Sequence, residues 1–274
     1  MPIWEVALPI GARNPRVQFG DGRRAPVSPT YYRPSREGDI PILAFFAGDE
    51  FVGEVLEGHW QVCRRSPPCY RTVSEGQLKF HVKSEVQGQL QLGDCVFSLG
   101  YVLVGSKLSL ALSTGSTGTS GQPAVVEFLI GTEKAEEPRN SLSLILRSDG
   151  NGARFELRRM ADGSSGTLWT GDYSTTGLSG KWDMELGEEI KVFLNGELVW
   201  SGDKWFREDA LFVGFNTYSY DTVPLDVGCD YVRIEAPGGL KVLYEIGPED
   251  IGKGAVRIYD TLGLDDEAEW QQVL

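Results

Sequence analysis

The chain has 274 residues, with 26 Lys and Arg against 39 Asp and Glu, for a net charge of −13. Such a surface repels phosphate backbones and anionic bilayers, so nucleic acid is not an expected partner. With 41% hydrophobic residues the chain can bury a sizeable core, but no apolar run reaches the roughly 18 residues that span a bilayer, so no membrane insertion is expected.

The opening, MPIWEVALPIGARNPR, lacks a basic stretch followed by a long apolar one, so no signal peptide is expected. Residues 13 to 36 carry six arginines among prolines and glycines. The segment 1–43 is therefore predicted to be an extended arm or linker without a core of its own. Its Phe19, Tyr31 and Tyr32 are expected to pack on a neighbouring copy or partner, with its arginines meeting the acidic tail residues Asp265, Asp266, Glu267 and Glu269. Next comes CRRSPPC, in which Cys63 and Cys69 can close a small disulfide loop. Cys95 and Cys229 both sit in strand-like runs and can bridge if those strands are neighbours. Four separate thiols are the alternative reading.

From residue 77 onward, short β-rich runs follow one another: GQLKFHVKSE, DCVFSLGYVLV, KLSLALST, AVVEFLIGT, SLSLILRS, ARFELRRM, EIKVFLNG, ELVWSG, ALFVGFNTYS and CDYVRIEA. Turn residues separate them, with Asn195-Gly196 predicting a two-residue type I′ hairpin because both positions accept positive φ. STGSTGTSGQP, Ser113 to Pro123, reads as a flexible loop. No helical periodicity is present. The prediction is an all-β, two-sheet antiparallel jelly-roll sandwich over residues 44–236, with a C-terminal β extension and acidic tail over 237–274.

Paired carboxylates about 5 Å apart serve retaining glycosidases. The nearest run is WDMELGEE, where Asp183 and Glu185 share a strand face, but Gly187 interrupts it. His59 and His81 lack the neighbours of a lyase site. No nucleophile elbow or phosphate loop is found. An enzyme is therefore not expected. Binding features stand out more. SGDKWFREDA and FNTYSYDTVP combine aromatic faces with polar acceptors, so Trp205, Tyr218, Tyr220 and Asp221 are the candidate carbohydrate ligands.

The ordered set AGDEFVGEVLEGHWQV, SEGQLKFHV, IKVFLNGELV and CDYVRIEA resembles the concanavalin A-like lectin/glucanase superfamily, in particular its laminin-G-like jelly rolls. The resemblance implies a structural Ca²⁺ held by Asp49 or Glu50 together with Asp230. It implies a non-catalytic lectin-like module that binds a carbohydrate or a protein. The two flanking segments of opposite charge point to an alternative: a virion structural protein, such as a capsid decoration, tail or fibre component, that self-associates through its arms. A cytoplasmic or virion-associated location accompanies these readings.

Overall fold

A computed structural model describes residues 3–56, 58–115, 121–135, 138–246, 255–260 and 270–272. The chain runs through β1 (Ile3–Ala7), β2 (Ala12–Gln18), β3 (Arg24–Pro26), β4 (Tyr31–Arg33), β5 (Ile40–Phe46) and β6 (Gly48–Asp49). It continues through β7 (Trp60–Arg64), β8 (Tyr70–Ser74), β9 (Gln77–Val82), β10 (Gln91–Ser98), β11 (Val102–Leu103) and β12 (Lys107–Thr114). The middle of the chain forms β13 (Ala124–Gly131), β14 (Ser141–Asp149), β15 (Gly152–Ala161), β16 (Ser164–Thr170), β17 (Leu178–Leu186) and β18 (Glu189–Leu194). The rest forms β19 (Glu197–Asp203), β20 (Ala210–Ser219), β21 (Leu225–Glu235), β22 (Lys241–Ile246), β23 (Ala255–Asp260) and β24 (Trp270–Gln272).

Two antiparallel sheets face each other, as the strand count predicts. The front sheet has the order β16-β15-β14-β13-β20-β10-β7, and the back sheet β19-β18-β17-β12-β21-β9-β8. Period-two alternation decides which side chains enter the space between them. In β9, Leu78, Phe80 and Val82 point inward, while Gln77, Lys79 and His81 point out. In β13, Val126 and Phe128 enter the same core. Trp182 lies at its centre, fully buried, with Phe155 and Trp169 edge-on at 5.2 and 5.9 Å. Each large apolar side chain buried this way contributes about 1.5–3 kcal/mol relative to exposure.

The predicted hairpin forms as expected. Asn195 and Gly196 have φ of 52° and 86°, and β18 pairs with β19 around them. Asn195 also reaches back to β17, its Oδ1 accepting the Lys181 amide at 2.9 Å.

The N-terminal segment finds partners within its own chain. β1 and β4 flank β5, and β2 pairs with both β3 and β22. Val17, Phe19, Ala25 and Val27 share a second core with Leu240, Val242 and Tyr244. Phe19, expected against another copy, is therefore buried here. The arginines also pair locally: Arg33 with Glu5 at 2.6 Å, and Arg23 with Asp21 at 2.7 Å and Glu188 at 3.2 Å. Tyr31 donates its hydroxyl to Glu5. The tail residues Asp265, Asp266, Glu267 and Glu269 lie outside the described residues, as does part of the Ser113–Pro123 loop.

The cysteines form no disulfide; all four are thiols. Cys95 and Cys229 do not bridge: Cys95 lies with Phe97 and Leu129 on the outer side of the front sheet, whereas Cys229 points into the core between the sheets. Cys63 is exposed on β7, whereas Cys69 is buried, its thiol donating to the Lys83 carbonyl at 3.3 Å. Burial pushes the Cys69 thiol up and the Cys229 thiol well up, away from reactive thiolate.

Candidate functional site: a groove on the front sheet

Strand register brings the site together. Ile145 on β14 faces Glu127 on one neighbour and Glu156 on the other. Glu127 in turn faces Asn216 on β20. Because Val126 and Phe128 turn inward, Glu127 must turn outward, along with Asn216 and Tyr218 from β20. The outer face of the front sheet thus carries a row of polar groups drawn from four strands.

At one end this face is closed. Cys95, Phe97 and Leu129 are buried beneath Phe212, and the Lys134 ammonium sits 4.6 Å from the Phe212 ring. Gly214 makes this packing possible, since a Cβ there would meet Phe97 at 2.5 Å. At the other end the face opens into a groove of about 450 Å³, with Glu127, Arg147, Arg158, Asn216, Tyr218 and Tyr220 among its walls.

The groove polar groups are held from beneath. Glu156 is 1% exposed. Its Oε1 accepts Arg154 Nε at 2.9 Å and Nη2 at 2.6 Å, and its Oε2 accepts Arg158 Nη2 at 2.6 Å. Arg154 also lies over the Tyr173 ring at 4.6 Å. Arg147 donates Nε to Asp149 at 3.3 Å, and Tyr173 donates its hydroxyl to the same carboxylate at 2.9 Å. Burial alone would raise Asp149, but the Asn151 amide, the Tyr173 hydroxyl and the Arg147 charge hold it below the ordinary carboxylate range. Asn216 accepts Arg64 Nη2 at 3.0 Å, which fixes its amide. Burial raises the Tyr218 phenol, and the nearby Glu127 charge adds to that, so the phenol stays a hydrogen-bond donor.

Of the predicted ligand residues, Tyr218 and Tyr220 line the groove, edge to face at 6.5 Å. Asp221 is buried, and its Oδ1 accepts the Val223 amide at 2.8 Å, closing the turn after β20. Trp205 packs against Trp200 and Phe206 and donates its indole N–H to the Met160 carbonyl at 2.8 Å. It braces the end of β15 without lining the groove. Glu127, Arg147, Arg158 and Asn216 were missed. For Glu127 and Arg147 the signal in the sequence is one charged residue among apolar neighbours, as in VVEFLI and LILRS; Arg158 and Asn216, in ELRRM and FNTYS, carry no such mark.

The expected calcium ligands meet protein donors instead. Asp49 Oδ2 accepts His59 Nε2 and Trp60 Nε1, each at 2.7 Å, and Asp49 Oδ1 accepts the Phe51 amide at 2.8 Å. Burial opposes ionisation of Asp49, yet the His59, Trp60 and Phe51 hydrogen bonds keep it below its usual range. Glu50 makes a two-pronged pair with Arg233 at 2.6 and 3.0 Å, and Asp230 accepts Gln77 Nε2 at 2.5 Å. Among the described residues no group of three or more His, Cys, Asp or Glu side chains is placed to hold a metal ion. Asp183 and Glu185 lie on β17 of the back sheet, away from the groove. Asp183 accepts the Ser109 hydroxyl at 2.5 Å and pairs with Lys181 at 3.4 Å.

No protein-family model matches the chain, and no curated protein matches it by sequence. Solved structures do match in fold. A Bacillus licheniformis β-glucanase aligns at TM-score 0.51 with 10% identity, covering 68% of this chain and 96% of its own. The endo-β-1,3-glucanase of Pyrococcus furiosus aligns at TM-score 0.50 with 11% identity, covering 70% and 94%. A structure from work on endo-acting O-glycanases of the human gut microbiota, which initiate mucin breakdown, aligns at 0.51 with 14% identity, covering 69% and 98%. These neighbours correct the expectation of a non-catalytic lectin-like or virion module and of a chain that is not an enzyme: those named here are two glucanases and a protein from work on endo-acting O-glycanases. Taken with the two facing sheets, the alignments show that this chain has a concanavalin A-like jelly-roll fold.

Proposed function

We propose that this protein is a glycan-cleaving enzyme whose substrate lies along the outer face of the front sheet, with Glu127 as the group that moves the proton at the glycosidic oxygen. The observation that carries this reading is the placement of Glu127: a half-buried carboxylate flanked by tyrosines on one side and arginines on the other, in a groove open along the sheet. Tyr218 and Tyr220 offer ring edges and faces to a sugar, and Asn216 and the Tyr218 phenol offer hydrogen bonds to its hydroxyls. An open groove admits the interior of a chain and so suits endo-acting cleavage. The fold neighbours, which include enzymes named for β-glucans and for mucin glycans, support a carbohydrate as the partner.

The carboxylate arrangement constrains the chemistry. Glu127 and Glu156 flank Ile145 on adjacent strands, so their backbones are two strand spacings apart, roughly 9.5 Å. Glu156 is sealed under two guanidiniums, so it positions Arg154 and Arg158 rather than meeting substrate. Glu127 then serves as the general acid or base.

The test is release of reducing ends from β-1,3-glucan, mixed-linkage β-1,3-1,4-glucan and mucin glycans. Glu127→Gln is expected to lower the rate by about 10²–10⁴-fold, the usual contribution of a positioned acid or base. Asp183→Asn, on the other sheet, should leave it unchanged. Cleavage that survives Glu127→Gln in full, or none on any glycan, overturns the reading.

A further inference from the structure

The walls of the groove carry the opposite sign of charge from the molecule as a whole. The chain has a net charge of −13, yet Arg147, Arg158 and Arg159 face the groove against the single carboxylate of Glu127. The acids beneath do not neutralise these arginines fully. Glu156 offers one charge to both Arg154 and Arg158. Asp149 takes only the Nε of Arg147, at 3.3 Å, and its remaining capacity goes to Tyr173 and Asn151. The two Nη groups of Arg147 therefore have no acceptor among the described residues, and Arg159, which is exposed, has no ion pair among them. Arg158 gives Nη2 to Glu156, while its Nε is buried without any acceptor.

Unused guanidinium donors on a fixed scaffold match planar or tetrahedral anions, whose oxygens accept paired N–H groups. Neutral sugar hydroxyls use such donors less well, and holding several cations close together without an anion is unfavourable. Phe155 and Leu157, buried in the core on either side of Glu156, keep β15 from adjusting. The excess of donors is thus built into the sheet.

We propose that the glycan taken by this groove is anionic, bearing carboxylate or sulfate groups that Arg147, Arg158 and Arg159 receive. The proposal rests on the functional reading above and names the substrate class for it. The negative surface elsewhere repels such a chain, which makes the groove the place where it is admitted.

The experiment uses the full chain carrying Glu127→Gln, so that ligands are not consumed, and isothermal calorimetry with three tetrasaccharides: a β-linked glucuronan, a sulfated galactan and neutral cellotetraose. At least one anionic tetrasaccharide is expected to bind about tenfold or more tighter than cellotetraose, a preference that shrinks at high salt. The uronate and sulfate arms tell the two anion sources apart. Adding Arg147→Ala or Arg159→Ala should erase most of the preference while leaving cellotetraose affinity in place, and Arg159→Ala, at an exposed side chain, should also leave the melting temperature unchanged. Arg158→Lys, which keeps the charge and spares Glu156, should weaken the anionic ligand only in part. Equal affinity for all three, tighter neutral binding, or no binding at all overturns the proposal. The wild-type cleavage assay separates this outcome from the functional reading. Cleavage of neutral glucan without anionic preference sinks the substrate class alone. Anionic binding without cleavage of any glycan, uronate and sulfated chains included, sinks the enzyme and leaves the binding specificity standing.

Discussion

In the back sheet, β9 and β12 alternate buried and open positions, with lysine, serine and histidine facing outward. In the front sheet, β13 and β14 are buried along nearly their whole length, and the outward positions that would normally be wet carry Glu127, Arg147 and a covered apolar cluster. Two sheets of one sandwich thus follow different rules. A solvated face needs only polar residues at every second position. On a covered face an unpaired charge is costly, so the carboxylates there are held by named partners, Glu156 by Arg154 and Arg158 and Asp149 by Arg147 and Tyr173. On the function proposed above, the chemistry lies on the face where polar residues are expensive.

The sharpest way to break this contrast is catalytic. If the front sheet carries the reaction, Glu127→Gln removes activity by orders of magnitude, and matched changes at Asp183 or Asp226 on the back sheet do nothing measurable. Comparable losses from both faces would dissolve the distinction.

Stability gives the next test. Glu156→Gln leaves Arg154 and Arg158 without their shared counter-charge in a nearly dry position, so a loss on the order of 3 kcal/mol in denaturant unfolding is expected. On the back sheet, Asp226 is largely exposed and pairs with His81 at 2.7 Å; Asp226→Asn should cost under about 0.5 kcal/mol. Similar costs at both positions would mean that Glu156 is better solvated than its surroundings indicate.

A smaller effect concerns pH. The native environment lowers Asp149, so the stability it contributes is present above the unfolded carboxylate range near pH 4 and is lost as pH falls through the lower folded value. Asp149→Asn should therefore flatten the acid limb of a stability-versus-pH curve and cost on the order of 1–2 kcal/mol at neutral pH. An unchanged acid limb would show that Asp149 is not linked in this way. Smallest of all, Gly196→Ala strains the positive φ of the hairpin and should cost about 1 kcal/mol, read as a lower melting temperature with activity intact.

How much of this was legible in the sequence depends on the range of the signal. The hairpin at Asn195-Gly196 and the alternation in LKFHV are local, and both lead directly to the observed strands. Tyr218 and Tyr220 announced themselves as aromatic residues beside polar ones. Glu127, Glu156 and Asn216 did not, because they come from three different strands and only register sets them in a row. The N-terminal segment was illegible for another reason. In β2, Asn14 adopts φ of 48° and the pairing with β22 shifts between Arg13 and Arg16, so no clean period of two survives. Its apolar partners Leu240 and Val242 lie at the far end of the sequence.

That last pairing sets an order of events. β2 can close its sheet only after β22 exists, so during synthesis Val17 waits until Val242 has emerged. Contacts of such long separation carry the greatest loop-closure cost and tend to form late. The sandwich can assemble from its own hairpins first, while Val17 and Phe19 remain uncovered. For that interval they form an apolar surface that a chaperone or another nascent chain can reach, and the same closure that buries them fastens β2 to β22 across the intervening sandwich.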